Sequence, residues 1–186
     1  MEAFADKPVA LRALFAFAFV EASVFPLPPD ILLIAIALAQ PRQAFRAAWW
    51  CTLGSVLGGL LGYLIGYGFM QSVGSHIIAF YQAQAAWDQV VRVYTSEIGV
   101  WFLAAAAFSP IPYKVATIAA GATQMSLLPF LLVSAIGRAG RFFLVGALLY
   151  WFGPPVKAFL DRYFNQLSLL FVLLLLVGFV AIRWFF

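Results

Sequence analysis

Five ionisable residues stand within segments of this sequence that are otherwise apolar. A charged side chain at the centre of a bilayer costs at least about 2.5–3.5 kcal/mol, so such residues face partners or water and often carry function. Carboxylates in that setting can take up and release protons, whereas lysine and arginine can hold an anion such as a phosphate group. The five residues are Glu21, Asp30, Lys114, Arg138 and Arg141.

Two of the five charges follow breaks that contain proline. The stretch F-P-L-P-P-D occupies residues 25–30 and S-P-I-P-Y-K occupies residues 109–114, so acidic Asp30 and basic Lys114 follow equivalent breaks. Proline removes a backbone donor, and irregular backbone at membrane depth is tolerated only where protein encloses it or where it lines a wet cavity. We therefore expect a site at the breaks, which are shaped by Pro26, Pro28, Pro29, Pro110, Pro112 and Gly121.

The composition places the chain in a membrane. Of its 186 residues, 65% are hydrophobic and 10% are charged, whereas soluble domains average about 25% charged residues. The eleven lysines and arginines are scattered, which argues against nucleic-acid binding. The single cysteine, Cys51, and the single histidine, His76, exclude an intrachain disulfide and the common metal and nucleophile motifs. We expect no cofactor, no metal and no enzymatic activity.

The apolar segments fall into two kinds. Residues 47–73, 131–152 and 167–186 are uninterrupted and reach the length of about 20 residues that a membrane-spanning helix needs. Residues 9–40 and 98–128 are broken by proline into arms of about 12–15 residues, which reach only about 20 Å. Such arms favour re-entrant hairpins that enter and leave on one side, with a kinked full span as the alternative.

Charge placement supports the hairpins. Lys7 and Arg12 precede the first interrupted segment, and Arg42 and Arg46 follow it, so the positive-inside rule places both flanks on the cytoplasmic side. The second hairpin then enters from the opposite side. The predicted fold is all-α, a single membrane domain over residues 1–186 built from two inverted repeats. It comprises repeats at 9–73 and 98–153, an interfacial amphipathic helix at 74–97 and an additional C-terminal transmembrane helix at 166–186.

Gly54, Gly58, Gly62 and Gly66 recur every four residues and so share one face of a helix. This pattern is typical of close helix packing in membranes. We expect it to let a hairpin arm pack tightly, and we see no phosphate-binding loop in it.

Two interpretations of the five charges remain open at this stage. In the first, they pair with one another and lock the helix bundle. In the second, they form a site near the middle of the membrane, where the ends of broken helices present free amides to an anion and the carboxylates carry protons.

Three motifs together resemble the DedA family of membrane proteins, which carry the VTT (SNARE-associated) domain. They are E-A-S-V-F-P-L-P-P-D at 21–30, G-S-V-L-G-G-L-L-G-Y-L-I-G at 54–66 and F-S-P-I-P-Y-K-V-A-T-I-A-A-G at 108–121. The resemblance covers about residues 10–153, and the second break looks most like the short P-x-P-x-K branch of the family.

The resemblance implies inverted re-entrant hairpins, dependence on the proton-motive force, and movement of polyprenyl phosphate or another phospholipid across the bilayer. Glu21 and Asp30 match the essential membrane carboxylates of the family, and Lys114 falls at its second essential arginine. The sequence departs from the longer family pattern at Phe108, where another arginine would stand.

We expect a multi-pass protein of the plasma or inner membrane that moves a phosphate-bearing lipid between leaflets, coupled to protons. Glu21 and Asp30 would carry the protons, and Lys114 would hold the phosphate together with Arg138 and Arg141. The expected partners are the lipid, the membrane and protons, and a homo-oligomer is compatible with the sequence. The alternatives are a proton-coupled transporter of small ions or solutes and a membrane scaffold that transports nothing.

Overall fold

The computed structural model describes residues 8–23, 29–109, 112–153 and 155. Within these ranges every regular element is helical and no strand occurs, which confirms the all-α prediction. The C-terminal transmembrane helix predicted at 166–186 lies outside the described residues. The helices are α1 (Pro8–Ser23), α2 (Pro29–Ala39), α3 (Ala44–Phe69), α4 (Ser75–Phe80), α5 (Gln84–Thr95), α6 (Glu97–Phe108), α7 (Tyr113–Ala122) and α8 (Leu127–Gly153), with a 3-10 turn at Pro41–Gln43 and a π turn at Met70–Gly74.

Two of the described helices are long and apolar enough to cross a membrane. One runs continuously over Pro41–Phe80, because the π turn joins α3 to α4 without a break, and the other is α8. A third candidate is the pair formed by α5 and α6, which are bent by 70° relative to each other. These helices support a membrane protein.

The glycine face of α3 brings two other helices into close contact. A Cβ at Gly54 would collide with the carbonyl oxygen of Phe15 in α1, and one at Gly58 would collide with that of Phe19. Further along the helix, Gly66 lies against the carbonyl of Ile118 in α7. The packing predicted for this glycine face is therefore confirmed, and α3 is held between α1 and α7.

The residue order in these contacts gives the helix directions. Residue numbers rise together in α1 and α3 and also in α7 and α3, so both pairs are parallel. We call the end at which α1 and α3 begin the proximal end. There Ala37 at the end of α2 packs with Ala44 and with Leu149 near the end of α8.

The opposite end of α3, which we call the distal end, meets the beginning of α8. The Tyr63 hydroxyl donates a hydrogen bond to the carbonyl of Met125 at 2.7 Å, and its ring lies 4.9 Å from that of Phe130. Helix α8 therefore runs antiparallel to α3. The last residues of α6, Ala107 and Phe108, reach the middle of α8.

Helix α5 has no buried residue. It connects to the core through α6, where the rings of Tyr94 and Phe102 meet edge to face at 5.7 Å. The position of this helix at the membrane interface stays a prediction.

Candidate functional site

Arg138 lies in the middle of α8 and is almost fully enclosed by protein. Its Nη2 atom is 3.3 Å from Oε2 of Glu21 in α1, and its Nε atom donates to the Oγ of Ser55 in α3 at 2.5 Å. The guanidinium also lies over two aromatic rings, 4.9 Å from the centroid of Tyr113 and 4.6 Å from that of Phe142. Four helices thus fix one arginine, and the Arg138 side chain is 5% exposed.

Arg141 lies less than one helical turn further along the same face of α8. Its Nη2 atom is 2.6 Å from Oδ2 of Asp30, the second residue of α2, and its Nη1 atom donates to the carbonyl of Ser109 at 2.8 Å. Asp30 follows the first break in the chain, and Ser109 begins the second. The two proline motifs stand 84 residues apart in the sequence, and residues that flank them therefore meet at one arginine.

Lys114 is the second residue of α7 and is partly buried. Among the residues that the structure describes, no carboxylate forms an ion pair with it, although its charge lies close enough to Glu21 to interact electrostatically. The five candidate residues therefore come together as two ion pairs plus this lysine. Three cations face two carboxylates, which leaves one positive charge in excess.

The residues predicted to shape the breaks divide into three groups. Pro29 opens α2, and Pro112 precedes α7 in an extended conformation with φ of −60° and ψ of 98°. Gly121 lies inside α7 rather than in the break, where its missing Cβ allows close contact with the backbone of Tyr63. Pro26, Pro28 and Pro110 lie outside the described residues.

The sequence reading missed the hydroxyl and aromatic side chains around Arg138. These are Ser55, Tyr113, Ser134 and Phe142. No sequence signal separates Ser55 from other hydroxyls in apolar helices, since such a group usually bonds to the backbone one turn earlier, as Thr52 does with Ala48. Tyr113 precedes Lys114 in the sequence, but packing alone would explain a buried aromatic residue at that position, so the adjacency did not predict a contact with Arg138.

The described residues contain no group of three or more histidine, cysteine, aspartate or glutamate residues that could hold a metal ion. The site consists of carboxylates, cations and hydroxyls. Such groups can exchange protons and can bind an anion.

The fold and the site define a class of protein: a helical membrane protein whose buried and partly buried charges meet beside two proline breaks. The chain belongs to the DedA family, since the VTT domain of that family matches residues 27–151. That range includes four of the five charged residues and begins six residues after Glu21.

Two relatives support this assignment. An uncharacterised protein of Histophilus somni is 38% identical over 168 residues, which cover 89% of this chain and 85% of the relative. An uncharacterised protein of Haemophilus influenzae is 34% identical over 165 residues, which cover 89% of this chain and 85% of the relative. No solved structure shows significant similarity to the chain.

Proposed function

We propose that this protein moves a phosphate-bearing lipid, such as a polyprenyl phosphate or a phospholipid, between the leaflets of the plasma or inner membrane. The observation that carries the proposal is the excess positive charge at Lys114, beside two carboxylate–arginine pairs where the breaks meet. An anionic headgroup would balance that charge. Membership of the DedA family supports a transporter-like role.

The helix ends strengthen the anion site. Helix α2 begins at Pro29 and helix α7 at Tyr113, so the amino-terminal ends of both lie beside the charged residues. The first amides of a helix lack intrahelical acceptors, and the helix dipole adds a partial positive charge there. Two such ends beside the charged residues favour a phosphate over a cation.

The ion pairs suggest how protons would couple to transport. A phosphate that binds Arg141 or Arg138 must compete with Asp30 or Glu21 for the guanidinium. A carboxylate displaced in an apolar surrounding becomes neutral by taking a proton. Headgroup binding would thus be linked to proton uptake, and its release to proton loss.

We also propose that the two halves are inverted repeats with re-entrant hairpins. Helix α1 begins at the proximal end and α2 ends there, while α7 ends beside the distal part of α3. Helix α1 is parallel to α3, and α6 is likewise parallel to α8. Labelling of single cysteines in a Cys51→Ala background tests this arrangement.

The expected labelling result is that cysteines at Arg12 and Arg42 react from one side of the membrane and cysteines at Glu97 and Gln124 from the other. Cys51 is buried, so its replacement removes background without altering the surface. Reaction of the Arg12 and Arg42 positions from opposite sides would overturn the inverted-repeat arrangement.

The test of transport is reconstitution of the full chain into vesicles with a labelled polyprenyl phosphate, with and without a pH gradient. We expect faster movement of the label when the gradient is present. Unchanged movement relative to protein-free vesicles under both conditions would refute the proposal. Transport of a small ion or solute under the same gradient would favour the first alternative.

A scaffold is the second candidate, because both arginines are paired with carboxylates in this structure. Pairing alone would lock the bundle without any substrate. The two candidates differ at Lys114, since a scaffold gains nothing from a partly buried cation that has no ion pair among the described residues.

A further inference from the structure

Two hydroxyl groups beside the charged residues are buried without a hydrogen bond in the described part of the chain. They are the Tyr113 hydroxyl in α7 and the Ser134 Oγ in α8, and these residues are 1% and 0% exposed. The two groups lie close to each other but outside hydrogen-bond geometry. A buried polar group without a partner lowers the stability of the fold, so its presence needs a reason.

The positions of these hydroxyls relate directly to Arg138. Ser134 lies one helical turn before Arg138 on α8, and Gly59 lies one turn after Ser55 on α3. The Tyr113 hydroxyl rests against Gly59, where a Cβ would stand 2.5 Å from its oxygen. The two hydroxyls therefore form a layer one turn distal of the guanidinium, and Gly59 leaves the room that the tyrosine hydroxyl occupies.

We propose that Tyr113 and Ser134 are phosphate-binding residues, and that their hydroxyls donate hydrogen bonds to headgroup oxygens whose charge is balanced by Lys114 and Arg138. This proposal rests on the proposed function and adds two uncharged hydrogen-bond donors to its phosphate site. The ring of Tyr113 lies over the Arg138 guanidinium, and its neighbour in sequence is Lys114. One residue thus connects both cations to the hydroxyl layer.

The chemistry of the layer fits a phosphate group. A phosphate monoester carries three terminal oxygens, and each can accept more than one hydrogen bond, so two cations leave acceptors to satisfy. Hydroxyl donors satisfy those acceptors without displacing Glu21 or Asp30 from the arginines that they contact. A hydroxyl that served only to hold helices together would be bonded within the protein, as the Tyr63 hydroxyl is to Met125.

The test measures ligand binding by the purified full chain in detergent, read as an increase of the thermal unfolding temperature. The probes are farnesyl phosphate, farnesol, which lacks the phosphate, and inorganic phosphate, which lacks the lipid. We expect farnesyl phosphate to stabilise the protein and farnesol to have no effect. Equal stabilisation by inorganic phosphate at the same concentration would overturn the assignment to a lipid and leave a site for a free anion.

The decisive variants are Tyr113→Phe and Ser134→Ala. Each loses one donor to a charged acceptor, so the apparent Kd for farnesyl phosphate should rise about tenfold, while the unfolding temperature without ligand stays the same or increases. The matched control is Tyr63→Phe, which also loses a hydroxyl but one that is bonded within the protein. It should lose stability and keep the Kd of the unchanged protein.

Wild-type affinity in both Tyr113→Phe and Ser134→Ala would overturn the proposal, as would the absence of any stabilisation of the unchanged protein by farnesyl phosphate. If Tyr113→Phe fails to fold, the Kd of Ser134→Ala for farnesyl phosphate tests the same pair of hydroxyls. If binding of farnesyl phosphate depends on the hydroxyls but no lipid moves in vesicles, the transport proposal is refuted and the binding site is retained. Transport with unaltered binding in the variants would refute the hydroxyl layer alone.

Discussion

The two ion pairs have the same composition and are held in different ways. In both, an arginine of α8 meets a carboxylate of the first half of the chain. The Arg138 side chain is 5% exposed and its contact with Glu21 is 3.3 Å long, whereas the Arg141 side chain is 24% exposed and contacts Asp30 at 2.6 Å. The more buried pair therefore has the longer contact.

The surroundings explain the difference. Arg138 is positioned by Ser55 and by the rings of Tyr113 and Phe142, so its place does not depend on Glu21 alone. Arg141 has only Asp30 and the carbonyl of Ser109 as hydrogen-bond partners in the described residues, and both residues flank the breaks. We infer that Arg138 is a fixed cation and that Arg141 is the cation that can exchange partners.

Removal of the fixed cation should have the largest effect on stability. Arg138→Gln leaves the partly buried Glu21 without its ion-pair partner, and breaking a buried pair in this way typically costs about 3–5 kcal/mol. We expect the free energy of unfolding in mixed detergent micelles to fall by that amount. The double variant Arg138→Gln with Glu21→Gln removes both charges and should recover most of the loss.

A double variant that recovers stability and also transports lipid at the normal rate would show that this pair is a scaffold element. Recovered stability with transport still lost would assign the pair to the site, and would assign Arg138 itself if the double variant also loses the binding of farnesyl phosphate that Glu21→Gln keeps. The Arg138→Lys variant adds a further comparison, because lysine keeps the charge but loses the planar donor geometry, and its transport should fall only partly.

Removal of the exchanging cation should cost less. Arg141→Gln loses charge-assisted hydrogen bonds to Asp30 and Ser109 at a partly exposed position, and such bonds contribute about 1.5–3 kcal/mol. We expect a fall in unfolding free energy within that range and a complete loss of lipid transport. A stability loss equal to that of Arg138→Gln would contradict the distinction between a fixed and an exchanging pair.

The sequence could predict which residues carry charge at the site but not how they pair. Proline breaks, apolar segments and isolated charges are local features, so the all-α membrane fold, the tight α3 packing and the five residues followed from them. The pairing of Glu21 with Arg138 and of Asp30 with Arg141 depends on helix directions over 117 and 111 residues of chain. No local sequence pattern marks the hydroxyls of Ser55, Tyr113 and Ser134, because their role depends on the Arg138 guanidinium that the folded chain brings close to them.

Neutral isosteres of the carboxylates separate shape from charge in each pair. Glu21→Gln and Asp30→Asn keep a hydrogen-bond acceptor for the arginine but remove the negative charge of the carboxylate. Glu21→Gln leaves the buried Arg138 without a countercharge, so its unfolding free energy should fall by up to about 3–5 kcal/mol, whereas Asp30→Asn, at the more exposed pair, should lose about 1 kcal/mol. Neither amide can take up a proton at ordinary pH. We therefore expect both variants to be folded and inserted but to have lost gradient-driven transport.

Full transport in either isostere would remove that carboxylate from the proton path. The comparison between the pairs adds a second expectation. Asp30→Asn weakens the hold on the exchanging arginine, so it should bind farnesyl phosphate more tightly than Glu21→Gln does. Equal binding by the two variants would argue that both arginines exchange alike.

Lys114 should have the smallest effect on stability of the charged residues, since it belongs to neither ion pair. Lys114→Gln removes no salt bridge of the described residues, so the unfolding free energy should change by no more than about 0.5 kcal/mol. Its charge is nevertheless the excess one at the site, and transport should be lost. Lys114→Arg keeps the charge and offers phosphate two parallel hydrogen bonds, so transport should persist. Normal transport by Lys114→Gln would place the anion site elsewhere, whereas a large loss of stability would mean that the lysine belongs to the paired network after all.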